Sequence, residues 1–147
     1  LSVSHAWPAE EGTFAGSWIA SGQRQVLDFI PDREVYTFHL QGHVNLKNNM
    51  GKTADFWSEC TGLWDQKTGS EGRCTWRSAK GGKAFIVLGG RLMEEGIQVT
   101  AEVVGGTGSL ENVEGIFTFT WTSVFTDPHT GSLTAHTENI TGHYSIP

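Results

Sequence analysis

Apolar and polar residues alternate with a period of two along most of this chain. In GIFTFTWTSVF, Phe117, Phe119, Trp121 and Phe125 fall on one side, and Thr118, Thr120 and Thr122 on the other. In EVYTFHLQGHVNL, Tyr36, Phe38, Leu40, Val44 and Leu46 share one face, and Val35, Thr37, His39, Gln41, His43 and Asn45 share the opposite one. Side chains alternate in this way on a β-strand, not on a helix. The pattern predicts strands over 13–20, 25–30, 34–46, 54–64, 72–79, 83–89, 97–104, 115–125 and 132–144. Between them lie SGQ, PDR, NNMGK, QKTGSEG, KGG, MEEG, GGTG and DPHTG, all rich in turn-forming residues. No segment reads as a helix longer than a turn. Many strands joined by short connections favour an all-β fold, a single antiparallel closed barrel of eight to nine strands. Residues 1–12, with Pro8 and two acids, read as an irregular arm, and 13–147 as the barrel domain. Alternation does not say which face lines the interior.

Length and composition narrow the function. The chain has 147 residues, enough for one domain with one core. Its 19 glycines suit a turn-rich β protein. Net charge is −6 and no basic cluster occurs, which argues against a nucleic-acid partner. No run approaches the about 20 apolar residues of a helical membrane span, so membrane insertion is not expected. The first residue is Leu1; a removed signal peptide and a trimmed terminus both fit.

Cys60 and Cys74 flank one predicted hairpin. If its turn centres on Lys67, Cys60 faces Cys74, Ser58 faces Trp76, and Trp57 faces Arg77. Facing cysteines on paired strands meet the distance limits of a disulfide. Two buried thiols are the rival reading. A disulfide implies an oxidising compartment, so a periplasmic or secreted protein is expected. On the other face of the hairpin Glu59 opposes Thr75, with Arg73 and Arg77 diagonal to it. This cluster is either a surface salt bridge or the lining of a cavity. Trp57 opposite Arg77 is placed for a cation–π contact.

Candidate chemistry is spread over the strands. His39 and His43 share a face but sit about 13 Å apart on a strand, too far to chelate one metal. No metal site and no cofactor are expected. A carboxylate inside an apolar barrel would have a raised pKa and act as an acid or base. Glu59, Arg77, His39 and His43 are therefore the catalytic candidates. Trp57, Trp76, Tyr36, Phe38, Phe119 and Trp121 are the candidates to line a ligand site. Asp28, within VLDFI, stands either at a strand end in water or buried for a reason. The chain carries no GxSxG motif, and GGTG is not a phosphate loop because no helix follows it.

Two resemblances bear on the fold. VVGGTG, followed by a short polar stretch, a glycine and a long strand, resembles the hallmark turn of plant dirigent proteins and allene oxide cyclases. ENITGHYSIP is similar to the last strand of dirigent proteins. Gly16-Ser17-Trp18 matches the G-x-W signature of lipocalins and looks like the first strand of avidins, although a tryptophan plugging one barrel end gives the same pattern. Both resemblances imply a calycin-like barrel around an apolar ligand. The residues carried over are Gly105, Gly106, Thr107 and Gly108, in a structural role. The dirigent and cyclase families steer reactive substrates by pocket shape, so the resemblance implies an isomerase, cyclase or lyase, or else a carrier. It also implies a homo-oligomer packed through outer faces. The expected ligand is small and apolar or aromatic. The alternative is a filled barrel that serves as a structural or protein-interaction module.

Overall fold

The computed structural model describes residues 10–147 and contains nine strands. They are β1 (Glu10–Val26), β2 (Val35–Asn48), β3 (Thr53–Asp65), β4 (Gly69–Ser78), β5 (Gly82–Met93), β6 (Gly96–Gly108), β7 (Glu114–Trp121), β8 (Ser123–Thr126) and β9 (Ser132–Ile146). The first seven form an antiparallel meander, β9 pairs with β7, and β1 pairs with both β2 and β9. Eight strands thus close into a barrel, with β8 as one extra strand. Because β1 occupies one edge of β9 along nearly its whole length, β7 and β8 share the other edge in succession. The arm expected over 1–12 falls mostly outside the described residues; Glu10, Glu11 and Gly12 already belong to β1.

The predicted strands recur with three revisions. SGQ is not a turn: β1 runs unbroken through it, and the stretch 27–30 is loop with Asp28 exposed. Gly22 is there for close approach, since a Cβ would run into the His39 carbonyl oxygen on β2. GGTG opens the turn instead of forming it: the Thr107 and Gly108 carbonyls accept from the Leu110 and Glu111 N–H groups of the reversal. Gly105, Gly106, Thr107 and Gly108 continue β6 opposite Phe85, Ala84, Lys83 and Gly82 of β5, past a bulge that leaves Val104 without a partner. The chain reverses after them, over 109–113. Finally, the strand expected over 115–125 breaks after Trp121. Phe117 and Phe119 are buried, but Phe125 pairs with outward-facing Thr134 and is 70% exposed.

The alternation resolves into an apolar inside and a polar outside. Tyr36, Leu40 and Val44 are buried, whereas Thr37, His39, Gln41, His43 and Asn45 are exposed. The interior is aromatic. Trp18 lies mid-barrel at 1% exposure and packs on Trp76, Phe119 and Trp121, with ring centroids 5.1–5.4 Å apart. Trp76 continues the stack to Phe56 and Phe117, and Phe117 reaches Phe14. A buried indole N–H needs an acceptor. Trp18 Nε1 donates to Ser58 Oγ at 2.8 Å, and that hydroxyl donates to the Gly42 carbonyl at 3.2 Å. Trp18 is thus a central post, not an end plug.

The hairpin register is the one its turn dictates. Cys60 faces Cys74, Ser58 faces Trp76, Trp57 faces Arg77 and Glu59 faces Thr75. Cys60 and Cys74 form a disulfide, and both point inward at 4% exposure. Their Cα atoms are 4.2 Å apart, the close spacing of a pair that exchanges no backbone hydrogen bonds. Thiol labelling under denaturing, non-reducing conditions is expected to find no free cysteine. Replacing both with alanine should lower stability in urea unfolding by about 3 kcal/mol, the value for a loop of this length in the chain-entropy model.

Candidate functional site

One end of the barrel differs from the other. It is formed by the β1–β2 loop, the β3–β4 and β5–β6 turns and the β8–β9 loop. A small, half-open cavity of about 50 Å³ lies at this end, floored by Trp18, Leu40 and Cys60 and walled by Tyr36, Phe38, Trp64 and Trp121 among others. Below it, Phe14, Val44, Phe56, Trp76 and Phe117 belong to one continuous buried core. Gly62 and Gly72 face each other on β3 and β4; a Cβ on Gly62 would run into the Phe38 ring, and one on Gly72 would press on Leu88. At 50 Å³ the space is smaller than the about 150 Å³ of an engineered apolar cavity that admits benzene. It can hold the leading edge of a ring but not a whole one.

The loops around this end expose large apolar side chains. Leu27, Phe29 and Ile30 on the β1–β2 loop are 46–55% exposed. Leu92 and Met93, beside the β5–β6 turn, are 54% and 50% exposed, and Phe125 of β8 adds to them. Among the described residues, the loops at the opposite end expose only Met50 in this class. The second half of the β1–β2 loop is fastened down. Arg33 donates to both Asp65 oxygens, at 2.9 and 2.6 Å, and Glu34 and Gln66 are joined by two further hydrogen bonds. The Arg33 guanidinium, with help from the Lys67 backbone N–H, holds the Asp65 carboxyl well below the usual carboxylate range despite its burial. The apolar stretch 27–30 therefore rises from a rigid base.

A second polar feature lies at the same end. Arg24 sits on the inward side of β1, directly across from Phe38, with its side chain only 9% exposed. Its guanidinium lies over the Tyr36 ring, 5.2 Å from the centroid. Nη1 reaches Glu34 Oε2 at 3.4 Å. Burial, together with the negative charge of Glu34, pushes the Tyr36 phenol up to about 12, and Arg24 opposes that rise. The sequence singled out Tyr36 but not Arg24. A charged residue within SGQRQV, read as a turn and a new strand, gave no sign of facing inward.

The catalytic candidates lie elsewhere. His39, His43, Glu59 and Arg77 are exposed on the outer wall of β2, β3 and β4. Glu59 accepts a hydrogen bond from Gln41 at 3.3 Å. Among the described residues Glu59 pairs with neither arginine, and Arg73 instead meets Glu71 at 3.0 Å. Trp57 is also outward, at 42% exposure, and its ring meets His43 edge-on at 4.9 Å instead of stacking on Arg77. Of the ligand-lining candidates, Tyr36, Phe38 and Trp121 border the cavity, while Trp76 and Phe119 pack in the core. No cluster of three or more metal-ligating side chains occurs among the described residues.

The outer wall has its own concavity. An open groove of about 580 Å³ crosses β3 to β7, lined by Leu63, Val87, Gly89, Thr100 and Ile116 with Glu71 and Glu102 beside them.

The chain has two tyrosines, and both phenols are raised, Tyr144 also by burial. A raised phenol favours the fold below its unfolded value of about 10 and loses that contribution as pH climbs past it. Spectrophotometric titration should therefore show less tyrosinate at the ordinary midpoint than two free phenols would give. Tyr36 is expected to ionise together with alkaline unfolding, as pH approaches about 12.

No family model matches the chain, and no curated protein matches it. Among solved structures it is similar to a pterocarpan synthase dirigent protein, with a TM-score of 0.50 and 14% sequence identity, over 97% of this chain and 95% of that one. At that identity the likeness is one of fold. It supports the dirigent side of the resemblance, not the cyclase side in particular: the chain folds as a dirigent-like barrel.

Proposed function

We propose that this is an exported barrel that binds a small apolar or aromatic ligand at the end bearing the β1–β2 loop. One observation carries the reading: the aromatic cavity and the ring of exposed apolar loop residues coincide at that end. Exposed apolar clusters on a soluble protein mark contact surfaces, and small-molecule sites are concave and largely apolar. The ligand's leading edge enters between Tyr36, Trp64 and Trp121 towards Trp18, and its body rests on Leu27, Phe29 and Ile30. The Cys60–Cys74 disulfide supports export. In this reading the barrel acts by binding. The outer row of Glu59, Arg77, His39 and His43 takes no part, because the barrel wall separates those groups from the cavity.

Methyl cinnamate is a suitable aromatic probe, followed through tryptophan fluorescence. It is expected to give a saturable change, and Ile97→Trp should weaken binding at least tenfold, or about 1.4 kcal/mol. Ile97 borders the cavity and is half-buried, so a larger ring narrows the entrance without invading the core. Unchanged binding by a folded Ile97→Trp variant would remove the site from this end.

A second reading rests on the outer groove. Val87, Leu63 and Ile116 form an apolar strip there, suited to a second copy of the chain. Light scattering on a sizing column should then show an oligomer in the parent and a monomer in Ile116→Glu. A monomeric parent would leave the groove without this role.

A further inference from the structure

We propose that Arg24 is the anion-recognising group of the ligand end, and that the ligand class is an apolar or aromatic molecule carrying a carboxylate. This deepens the reading above and rests on it. Arg24 is a buried cation in an aromatic setting, and its donors are poorly used. A guanidinium offers five N–H donors. Here Nε is buried with no hydrogen-bond partner among the described residues. Among the described residues, its one side-chain contact to an acceptor is the long 3.4 Å approach of Nη1 to Glu34. A good arginine–carboxylate pair is bidentate, with both N–H···O distances near about 2.7–2.9 Å.

The same protein shows what a finished pair looks like. Arg33 grips both oxygens of Asp65 at 2.9 and 2.6 Å. Arg24 and Glu34 do not reach that geometry, and Glu34 remains about half exposed while Arg24 is buried. Leaving a buried guanidinium under-bonded is costly, so a group in this state calls for a purpose. Its surroundings indicate one. Arg24 lies across from Phe38 with its guanidinium over the Tyr36 ring face, and both aromatics wall the cavity. A planar ligand entering there meets aromatic walls first and the guanidinium fork beside them. A carboxylate on that ligand would supply the acceptors that Glu34 supplies only through one oxygen. Glu34 would then act as a weak internal competitor.

The test compares trans-cinnamate with its methyl ester by tryptophan fluorescence, in the parent protein and in Arg24→Gln, Arg24→Lys and Glu34→Gln. In the parent, the acid should bind at least about tenfold more tightly than the ester. Arg24→Gln should erase that preference while leaving ester binding in place. Arg24→Lys, which keeps the charge but not the fork, should retain only part of it. Glu34→Gln should tighten binding of the acid alone, an effect that a merely structural role for Arg24 would not produce. Equal binding of acid and ester in the parent overturns the inference and leaves the pocket reading standing. So does a preserved acid preference in Arg24→Gln. Binding of neither probe overturns both. If Arg24→Gln loses its near-ultraviolet circular dichroism and is unfolded, Glu34→Gln decides: unchanged acid affinity there rejects the inference.

Discussion

Everything inside this molecule depends on β1 pairing along both of its edges. β1, seventeen residues long, joins β2 over Phe14–Val26 and β9 over Glu10–Gln23, and the sheet closes on itself. Closure fixes the interior volume. An eight-stranded barrel leaves room for side chains and little else. Some large residues inside are then matched by a small one across from them. Phe38 is set against Gly62 and Gly72 for this reason. Trp18 fills the middle and anchors its indole on Ser58 and Gly42, which ties β1 to β3 and β2 through the core. The cavity is the place where this matching falls short, at the level of Tyr36, Trp64 and Trp121.

The two ends answer to different demands. At the end bearing the β1–β2 loop, an ion pair and reciprocal hydrogen bonds to the β3–β4 turn hold the loop's second half, while 27–30 stands in solvent. Apolar residues on a fixed support lose little entropy when something covers them. The opposite end is closed by polar contacts. Tyr144 donates to Glu10 at 2.7 Å and accepts from Asn48 at 3.2 Å, knitting β9, β1 and β2 together. Both ends are thus fastened by polar contacts, and the exposed apolar surface is concentrated beside the cavity.

Much of the fold was legible in the sequence because period-two alternation is a strong signal and a tight turn fixes register. The Cys60–Cys74 hairpin illustrates the second point: once Lys67 is at the turn, every facing pair follows. The misread segments share a cause. Gly22 and 105–108 read as punctuation, yet Gly22 serves close strand packing and 105–108 extend β6 past a bulge before opening the turn, which local propensity does not distinguish from a turn alone. Phe125 was misplaced because a break at Thr122 inverts the faces, and a one-residue slip sends every later side chain to the other side. Of the site, Tyr36, Phe38 and Trp121 were visible as one apolar face. Which face turned inward was not, so the polar row of His39 and His43 was a candidate lining until the barrel placed it outside. Arg24 escaped notice for the opposite reason: a lone charge among polar neighbours carries no periodic signal.

The central stack also gives the protein a spectroscopic identity. Trp18, Trp76, Phe119 and Trp121 lie with ring centroids within 5.4 Å of a neighbour and at steep mutual angles. Indoles held that close in a fixed chiral frame couple their transitions, and such signals vanish when side chains lose their packing even if the strands persist. The same rings that fill the barrel therefore report on it. A loosened interior would announce itself in near-ultraviolet dichroism while the backbone signal still read as intact β-sheet.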